Sequence, residues 1–230
     1  DTSGSVRLEV KPRDAEVYVD GYLAGKVDNF DGVFQRLRVE PGGYATELWT
    51  EGSEPWLNLD QHTRALDDGS ILRSSERTGY RHLELRAPDG ELLRQLTEGD
   101  FDSAAPAWSP DGSTIAFASA RTENWDTELI SDVYLVPAEG GEPRRLTQGD
   151  GGYGAPVWSP DGKQIVAQFT PDTWVWGKHT QIAVIDVESG EHRLVSESLD
   201  RQCGPFPDLR PTAWDGDRLV FDGQERSGRW

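Results

Sequence analysis

The residues of this chain best suited to nucleophilic or general acid–base chemistry are four histidines, His62, His82, His179 and His192, and a single cysteine, Cys203. A serine nucleophile presented on a strained strand-to-helix turn needs small neighbours in the pattern G-x-S-x-G, and no such pentapeptide occurs. Each histidine falls in a predicted strand or its flank, where a structural role is expected. Cys203 stands between Gln202 and Gly204, with Arg201 beside it to lower its pKa, but no histidine motif adjoins it. An inert thiol is expected, and one cysteine excludes an intrachain disulfide. The metal patterns H-E-x-x-H, paired C-x-x-C and the EF-hand loop are absent. Asp28-Asn29-Phe30-Asp31-Gly32 and the carboxylate pair Asp126 and Glu128 gather oxygen ligands, and solvated turn chemistry accounts for both. The expectation is a chain with no catalytic residue, no metal and no cofactor.

Charge narrows the partners. Against 41 acidic residues stand 23 basic ones, a net charge of −18, which argues against a broad nucleic-acid-binding face or an anionic-membrane patch and favours cationic or uncharged partners. Apolar runs such as Ile182 to Ile185 are far shorter than the roughly 20 residues that cross a bilayer as a helix, so no membrane insertion is expected. At 35% hydrophobic content, 230 residues can build one large or two small domains. The absence of methionine and the opening Asp1-Thr2 are expected of a processed or excised piece.

The elements that must position any site follow from punctuation and repetition. Glycine and proline, 25 and 14 residues, separate short segments rich in Val, Ile, Leu and aromatics, the pattern of strands and turns. Phe101 to Gly112 (FDSAAPAWSPDG) realigns with Gly151 to Gly162 (GGYGAPVWSPDG), and Leu96-Thr97-Glu98-Gly99-Asp100 with Leu146-Thr147-Gln148-Gly149-Asp150, both at an offset of 50 residues. A repeat of this length carrying several short strands marks a propeller or related array. One unit reads as strands ending at Trp108, then Thr114 to Ser119, Asp132 to Pro137 and Pro143 to Thr147. The next reads Ala155 to Trp158, Gln164 to Thr170, Gln181 to Val187 and His192 to Ser196. A weaker copy upstream runs through Arg64 to Leu66, Ser70 to Ser75, His82 to Arg86 and Glu91 to Thr97, and Pro211 to Trp214 with Arg218 to Asp222 begin a fourth.

Within Trp-Ser-Pro-Asp-Gly, proline presets φ, Asp bonds the backbone two residues on, and Gly takes positive φ, so Asp111 and Asp161 are expected to be turn residues. Trp108, Trp158 and Trp214 share one repeat position and are expected to pack between blades. The N-terminal stretch departs from the repeat. It alternates over Val6 to Val10 and Glu16 to Val19, turns at Asp20-Gly21, and continues through Val33 to Val39, Pro41-Gly42-Gly43 and Tyr44 to Trp49. The fold class is therefore all-β, a small N-terminal β unit plus a partial β-propeller of four-stranded blades. Its divisions are residues 1–50, a junction at 51–61, blades at 62–100, 101–150 and 151–200, and a partial blade at 201–230.

Residues 6–48, with Ala15 to Gly21 and Pro41-Gly42, resemble a PEGA domain, a small β domain of bacterial surface and envelope proteins. From Trp56 onward the Trp-Ser-Pro-Asp-Gly repeats resemble the propeller of TolB-like periplasmic proteins and of the prolyl oligopeptidase family. Ser75-Glu-Arg-Thr-Gly-Tyr-Arg-His-Leu83 is similar to a blade of dipeptidyl peptidases, and Asp132 to Thr147 to one of acylaminoacyl peptidases. In those enzymes the propeller caps an α/β-hydrolase domain and lends residues to substrate binding without performing the chemistry. The resemblance implies a bacterial, periplasmic or cell-envelope setting and marks Glu76, Arg77, Tyr80 and His82 as binding candidates.

Aromatic residues in the predicted loops, Trp125, Tyr153, Trp174 and Trp176, complete the binding candidates. The leading reading is a non-catalytic binding module for peptide or protein partners. The alternative is the gating propeller of a serine peptidase separated from its hydrolase domain, and the third is an artificial joining of family-like fragments. Three and a half blades leave open strand edges, so self-association or a larger assembly that closes the propeller is expected.

Overall fold

The computed structural model describes residues 4–6, 16–19, 22–26, 37–39, 63–66, 68–175, 178–199, 201–203 and 212–223. The chain divides into two compact units, residues 1–77 with 84–94, and residues 78–83 with 95–230. In the first unit, β1 (Gly4–Val6), β2 (Glu16–Val19), β3 (Tyr22–Lys26) and β4 (Leu37–Val39) form two antiparallel pairs, β1 with β4 and β2 with β3. The strand Tyr22–Lys26 was not anticipated. The expected turns at Asp20-Gly21 and Pro41-Gly42-Gly43, and the strand at 44–49, lie outside the described residues.

Three four-stranded antiparallel sheets follow. The first comprises β5 (Arg64–Ala65), β6 (Ile71–Ser75), β7 (His82–Arg86) and β8 (Leu92–Gln95) in that order. The second contains β9 (Ala104–Trp108), β10 (Thr114–Ser119), β11 (Asp132–Pro137) and β12 (Arg144–Arg145), with a one-turn helix α1 (Trp125–Glu128) between β10 and β11. The third contains β13 (Gly151–Trp158), β14 (Gln164–Pro171), β15 (Gln181–Asp186) and β16 (His192–Leu194). A two-stranded sheet of β17 (Ala213–Asp215) and β18 (Arg218–Val220) begins another blade, and Cys203 bridges Gly223 beside it. Expected strand limits differ from these by a few residues, most at β13, which begins at Gly151 rather than Ala155, and by one or two residues at the outer strands.

Each blade is reversed by the turn that its residues dictate. Asp111 Oδ1 accepts from the Ser109 hydroxyl at 2.6 Å and the Ser113 N–H at 3.1 Å, while Ser109 Oγ accepts the Thr114 N–H at 3.0 Å. Asp161 repeats this with Ser159 at 2.7 Å and the Lys163 N–H at 3.1 Å. Asp68 does the same for Ser70 at 2.9 and 2.6 Å, although its segment lacks the Ser-Pro pair. Gly112 and Gly162 take φ of +72° and +70°, a conformation that costs a Cβ-bearing residue strain. These hydrogen bonds hold all three carboxyl groups below the usual aspartate range.

A second repeated device fixes the outer strand. The Thr147 hydroxyl accepts the Val133 N–H at 3.1 Å and donates to Asp132 Oδ1 at 2.7 Å. Ser196 likewise takes the Ile182 N–H at 2.8 Å and donates to Gln181 Oε1 at 2.8 Å. In the earlier blade Thr97 takes the Leu83 N–H at 3.0 Å and meets His82 Nδ1 at 3.3 Å. The Thr97, Thr147 and Ser196 hydroxyls are all buried, so each latch replaces water rather than competing with it.

Apolar packing then joins successive blades. Ala116, Val133, Leu135 and Leu146 of the second sheet close on Tyr153, Trp158, Ile165, Ala167, Phe169, Ala183 and Ile185 of the third. The Trp158 indole N–H donates to the Ala107 carbonyl at 3.0 Å, an inter-blade bond consistent with the expected packing role. Trp214 packs with Leu219 and Phe221 on Val166, Ile182, Val184 and the buried Cys203. Gly190, at φ +75°, brings the β15–β16 turn against the Leu146 carbonyl, where a Cβ would overlap it.

The latch is open to a direct check. Thr147→Val keeps the shape but strands the Val133 N–H, and the expected loss is about 1–3 kcal/mol of unfolding free energy, whereas Thr147→Ser costs less. Urea denaturation of both variants measures the difference.

Candidate functional site

In the three described blades, the connections between the first and second strands differ from those between the second and third. Those at 109–113 and 159–163 are saturated by their own hydrogen bonds, and so offer little to a ligand. Ser109, Pro110, Asp111, Trp158, Pro160 and Asp161 line a shallow depression of about 500 Å³ there, but both carboxylates are engaged in their turns. The connections between the second and third strands, at 76–81, 120–131 and 172–180, are longer and carry most of the predicted binding residues.

In the first unit Arg77 pairs with the buried Glu84, which also accepts from Arg86 Nη2 at 2.8 Å and Nε at 3.1 Å. Arg77 is thus committed to a buried carboxylate, a pair whose disruption leaves an unbalanced charge. Glu76 lies beside it in the same connection. The equivalent arginine of the next blade, Arg121, forms no ion pair with a carboxylate among the described residues. It lies two residues past β10 as Arg77 lies two past β6, and Tyr134 stands in β11 where Glu84 stands in β7. Its guanidinium stacks 3.6 Å from the Phe101 ring centre and 4.0 Å from that of Tyr134, and Nε donates to Ser119 Oγ at 3.3 Å. Burial lowers the Arg121 pKa and raises that of Tyr134.

Tyr80 is half-buried in its connection, while His82 is buried in β7. His82 was the histidine singled out for binding; the structure places it on the Thr97 latch and edge-on to Phe101 at 5.8 Å. Burial, more than any other cause, depresses its pKa, against the Gly99 backbone and Asp102, which raise it. Tyr153, expected on a loop, instead lies within β13 at 2% exposure. Its hydroxyl donates to Asp150 Oδ1 at 2.9 Å and lies 2.9 Å from His192 Nδ1, and the ring packs 4.8 Å from Phe169. The reason is the bulge in β13, marked by Ala155 at φ 47° and a register shift between Gly154 and Val157, which extends pairing back to Gly151. Burial and the Asp150 carboxylate push the Tyr153 hydroxyl well above the usual tyrosine range.

Trp125 and Trp174 are 50% and 64% exposed, and with Leu129 at 61% and Val175 at 52% they are prominent among the exposed large apolar residues described. Trp176 lies outside the described residues. One hydrogen bond joins the two connections, and a second set holds the first of them to β13. Thr173 Oγ1 donates to the Glu128 carbonyl at 2.5 Å, and Ser131 exchanges backbone bonds with Gly151 and Tyr153 at 3.3 and 3.0 Å while its hydroxyl donates to the Tyr153 carbonyl at 2.7 Å. Leu129 closes α1 at φ 53° and Asp172 opens the other connection at φ 46°, both non-glycine residues in the left-handed region. Such strain persists where surrounding contacts over-determine it. The sequence reading missed Leu129 and α1; an exposed apolar residue in a non-repeating insert was the available signal.

Comparison with known proteins places this geometry. Residues 35–108 match the family model for the dipeptidyl peptidase IV N-terminal region. The putative TolB of Agrobacterium tumefaciens superposes with a TM-score of 0.55 at 20% identity, covering 84% of this chain and 63% of that one. Porphyromonas gingivalis dipeptidyl peptidase 4 gives 0.47 at 19% identity over 61% of this chain and 19% of that one. TolB from Acinetobacter baumannii gives 0.46 at 20% identity over 68% and 38%. The chain carries propeller blades of the TolB-like type and spans less than two thirds of the length of these solved relatives. No grouping of His, Cys, Asp and Glu suited to a metal ion occurs among the described residues, and no described helix is long and apolar enough to cross a membrane.

The latch histidine yields a pH test. A depressed folded-state pKa means that the unfolded chain binds the extra proton first, so this contribution is intact above about 6.5 and is lost as pH falls below it. His82→Gln, which installs the residue of the Gln181 latch, is expected to flatten the fall in stability between pH 7 and 5, as read by thermal melting.

Proposed function

We propose that this chain is the non-catalytic binding part of a propeller, with peptide or protein partners engaged at the connections that carry Trp125 and Trp174. The supporting observation is the contrast between saturated turns and two tied, strained connections that hold large apolar side chains in solvent. Strain and exposure both cost stability, and a recognition surface is a use that offsets the cost. Glu76 and Tyr80 occupy the matching connection of the first blade and serve the same role there. The N-terminal strand pairs β1–β4 and β2–β3 are compatible with a PEGA-like unit that tethers the blades in a bacterial envelope.

A second reading has its own support. The match of residues 35–108 to the dipeptidyl peptidase IV N-terminal region favours a gating propeller that controls access to a peptidase domain. Under both readings the open blade edges are covered by further blades or by a second copy.

Placing a photo-crosslinking residue at 125 or 174 of the natural polypeptide tests the first reading. The expected result is the same discrete adduct from both positions and none from Glu188, on the β15–β16 turn; no adduct from either position would refute it. A fluorophosphonate probe that labels the polypeptide carrying these residues would support the gating reading instead.

A further inference from the structure

We infer that the surface of α1 and of residues 172–175 takes a cationic peptide segment, one in which lysine or arginine side chains stand beside apolar ones. The inference rests on the partner-binding reading and gives that partner its chemistry.

The first argument is charge. Glu123 and Asp126 are exposed and Glu128 is half-buried on or beside α1, and none of the three has a described ion-pair partner. The cations nearest in sequence are already committed. Arg121 is stacked between Phe101 and Tyr134, and Lys178 pairs with Asp172 at 3.2 Å. His179, the remaining titratable group of the β14–β15 connection, is half-buried. Three carboxylates with no ion pair among the described residues therefore lie on or beside the element that carries Trp125 and Leu129, and a cationic ligand neutralises them while an anionic one is repelled.

The second argument is the kind of apolar side chain. Trp125 and Trp174 offer indole faces, the strongest aromatic partners for ammonium and guanidinium groups, while Leu129 and Val175 offer aliphatic area with no polar atom. A purely polar cation would leave that aliphatic area wet, whereas a purely apolar ligand would leave the carboxylates unmatched. A segment that alternates the two satisfies both. The surface is also preorganised, since the Thr173–Glu128 bond and the left-handed Leu129 and Asp172 set the two connections before any ligand arrives.

The test uses the whole chain and fluorescein-labelled 12-residue peptides read by anisotropy. A peptide alternating Lys with Leu is expected to bind about tenfold more tightly than one alternating Lys with Ser or Glu with Leu. Trp125→Ala and Trp174→Ala are each expected to weaken the Lys–Leu peptide several-fold. Glu123→Gln combined with Asp126→Asn should weaken it, while Glu188→Gln combined with Glu191→Gln, the same charge change on the exposed β15–β16 turn, should not. Equal binding of the Lys–Ser peptide, or an equal loss in the control pair, would reduce the effect to the diffuse field of the chain and overturn the inference. Competition separates the two readings. Adducts at 125 and 174 that the Lys–Leu peptide fails to displace would overturn the cationic assignment and leave partner binding standing, whereas absence of adducts would remove both.

Discussion

A buried hydroxyl at the end of each blade's outer strand holds that strand to the third one. Thr97, Thr147 and Ser196 each accept a backbone N–H that would otherwise be unpaired where the outer strand peels away, and each meets the polar side chain one residue earlier, His82, Asp132 or Gln181. The rest of the blade depends on this. With the outer strand held, Leu146 faces the neighbouring sheet, and with Leu146 in place the β15–β16 turn can close on its carbonyl at Gly190. The polar partner changes from blade to blade while the hydroxyl does not, because the backbone N–H is the invariant demand and the side chain only completes the hydroxyl's own bonding.

The blades diverge where this demand ends. Past the second strand, one blade spends its arginine on the buried Glu84, and the next stacks its arginine on Phe101 and Tyr134. Exchanging a carboxylate for an aromatic ring keeps the arginine ordered but changes what the connection beyond it can do. In the second blade the connection lengthens into α1, reaches the third blade through Thr173 and Ser131, and leaves Trp125 in solvent, as the third blade's own connection leaves Trp174. The opposite turns vary less, since an aspartate there bonds the neighbouring hydroxyl and a backbone N–H in all three blades. Repeated hydrogen bonding is thus concentrated at one kind of connection and exposed apolar side chains at the other.

Much of this was legible in the residues. The 50-residue offset, the Trp-Ser-Pro-Asp-Gly turns and the β-branched run at Ile182 to Ile185 foretold four-stranded blades, because turn chemistry and strand alternation are local and survive without neighbours. The Leu-Thr pairs at 96 and 146 were visible as a repeat, though their role as latches was not, since a hydroxyl's partner lies 14 residues away across a sheet. The aspartates of the turns were assigned correctly for the same local reason that the strands were.

Sequence alone determined the all-β class, the blade period, the turn residues and the acidic character, since each of these follows from composition or from contacts within a few residues. Tertiary structure alone decided the fate of the aromatic and charged candidates. Tyr153 went inward because a bulge carried its strand back to Gly151, and His82 went to a latch because Thr97 lies across the sheet from it. Trp125 and Trp174 stayed outside because their connections are tied by backbone carbonyls rather than by their own rings. Exposure is settled by what packs against a residue, and residues distant in the chain supply that packing.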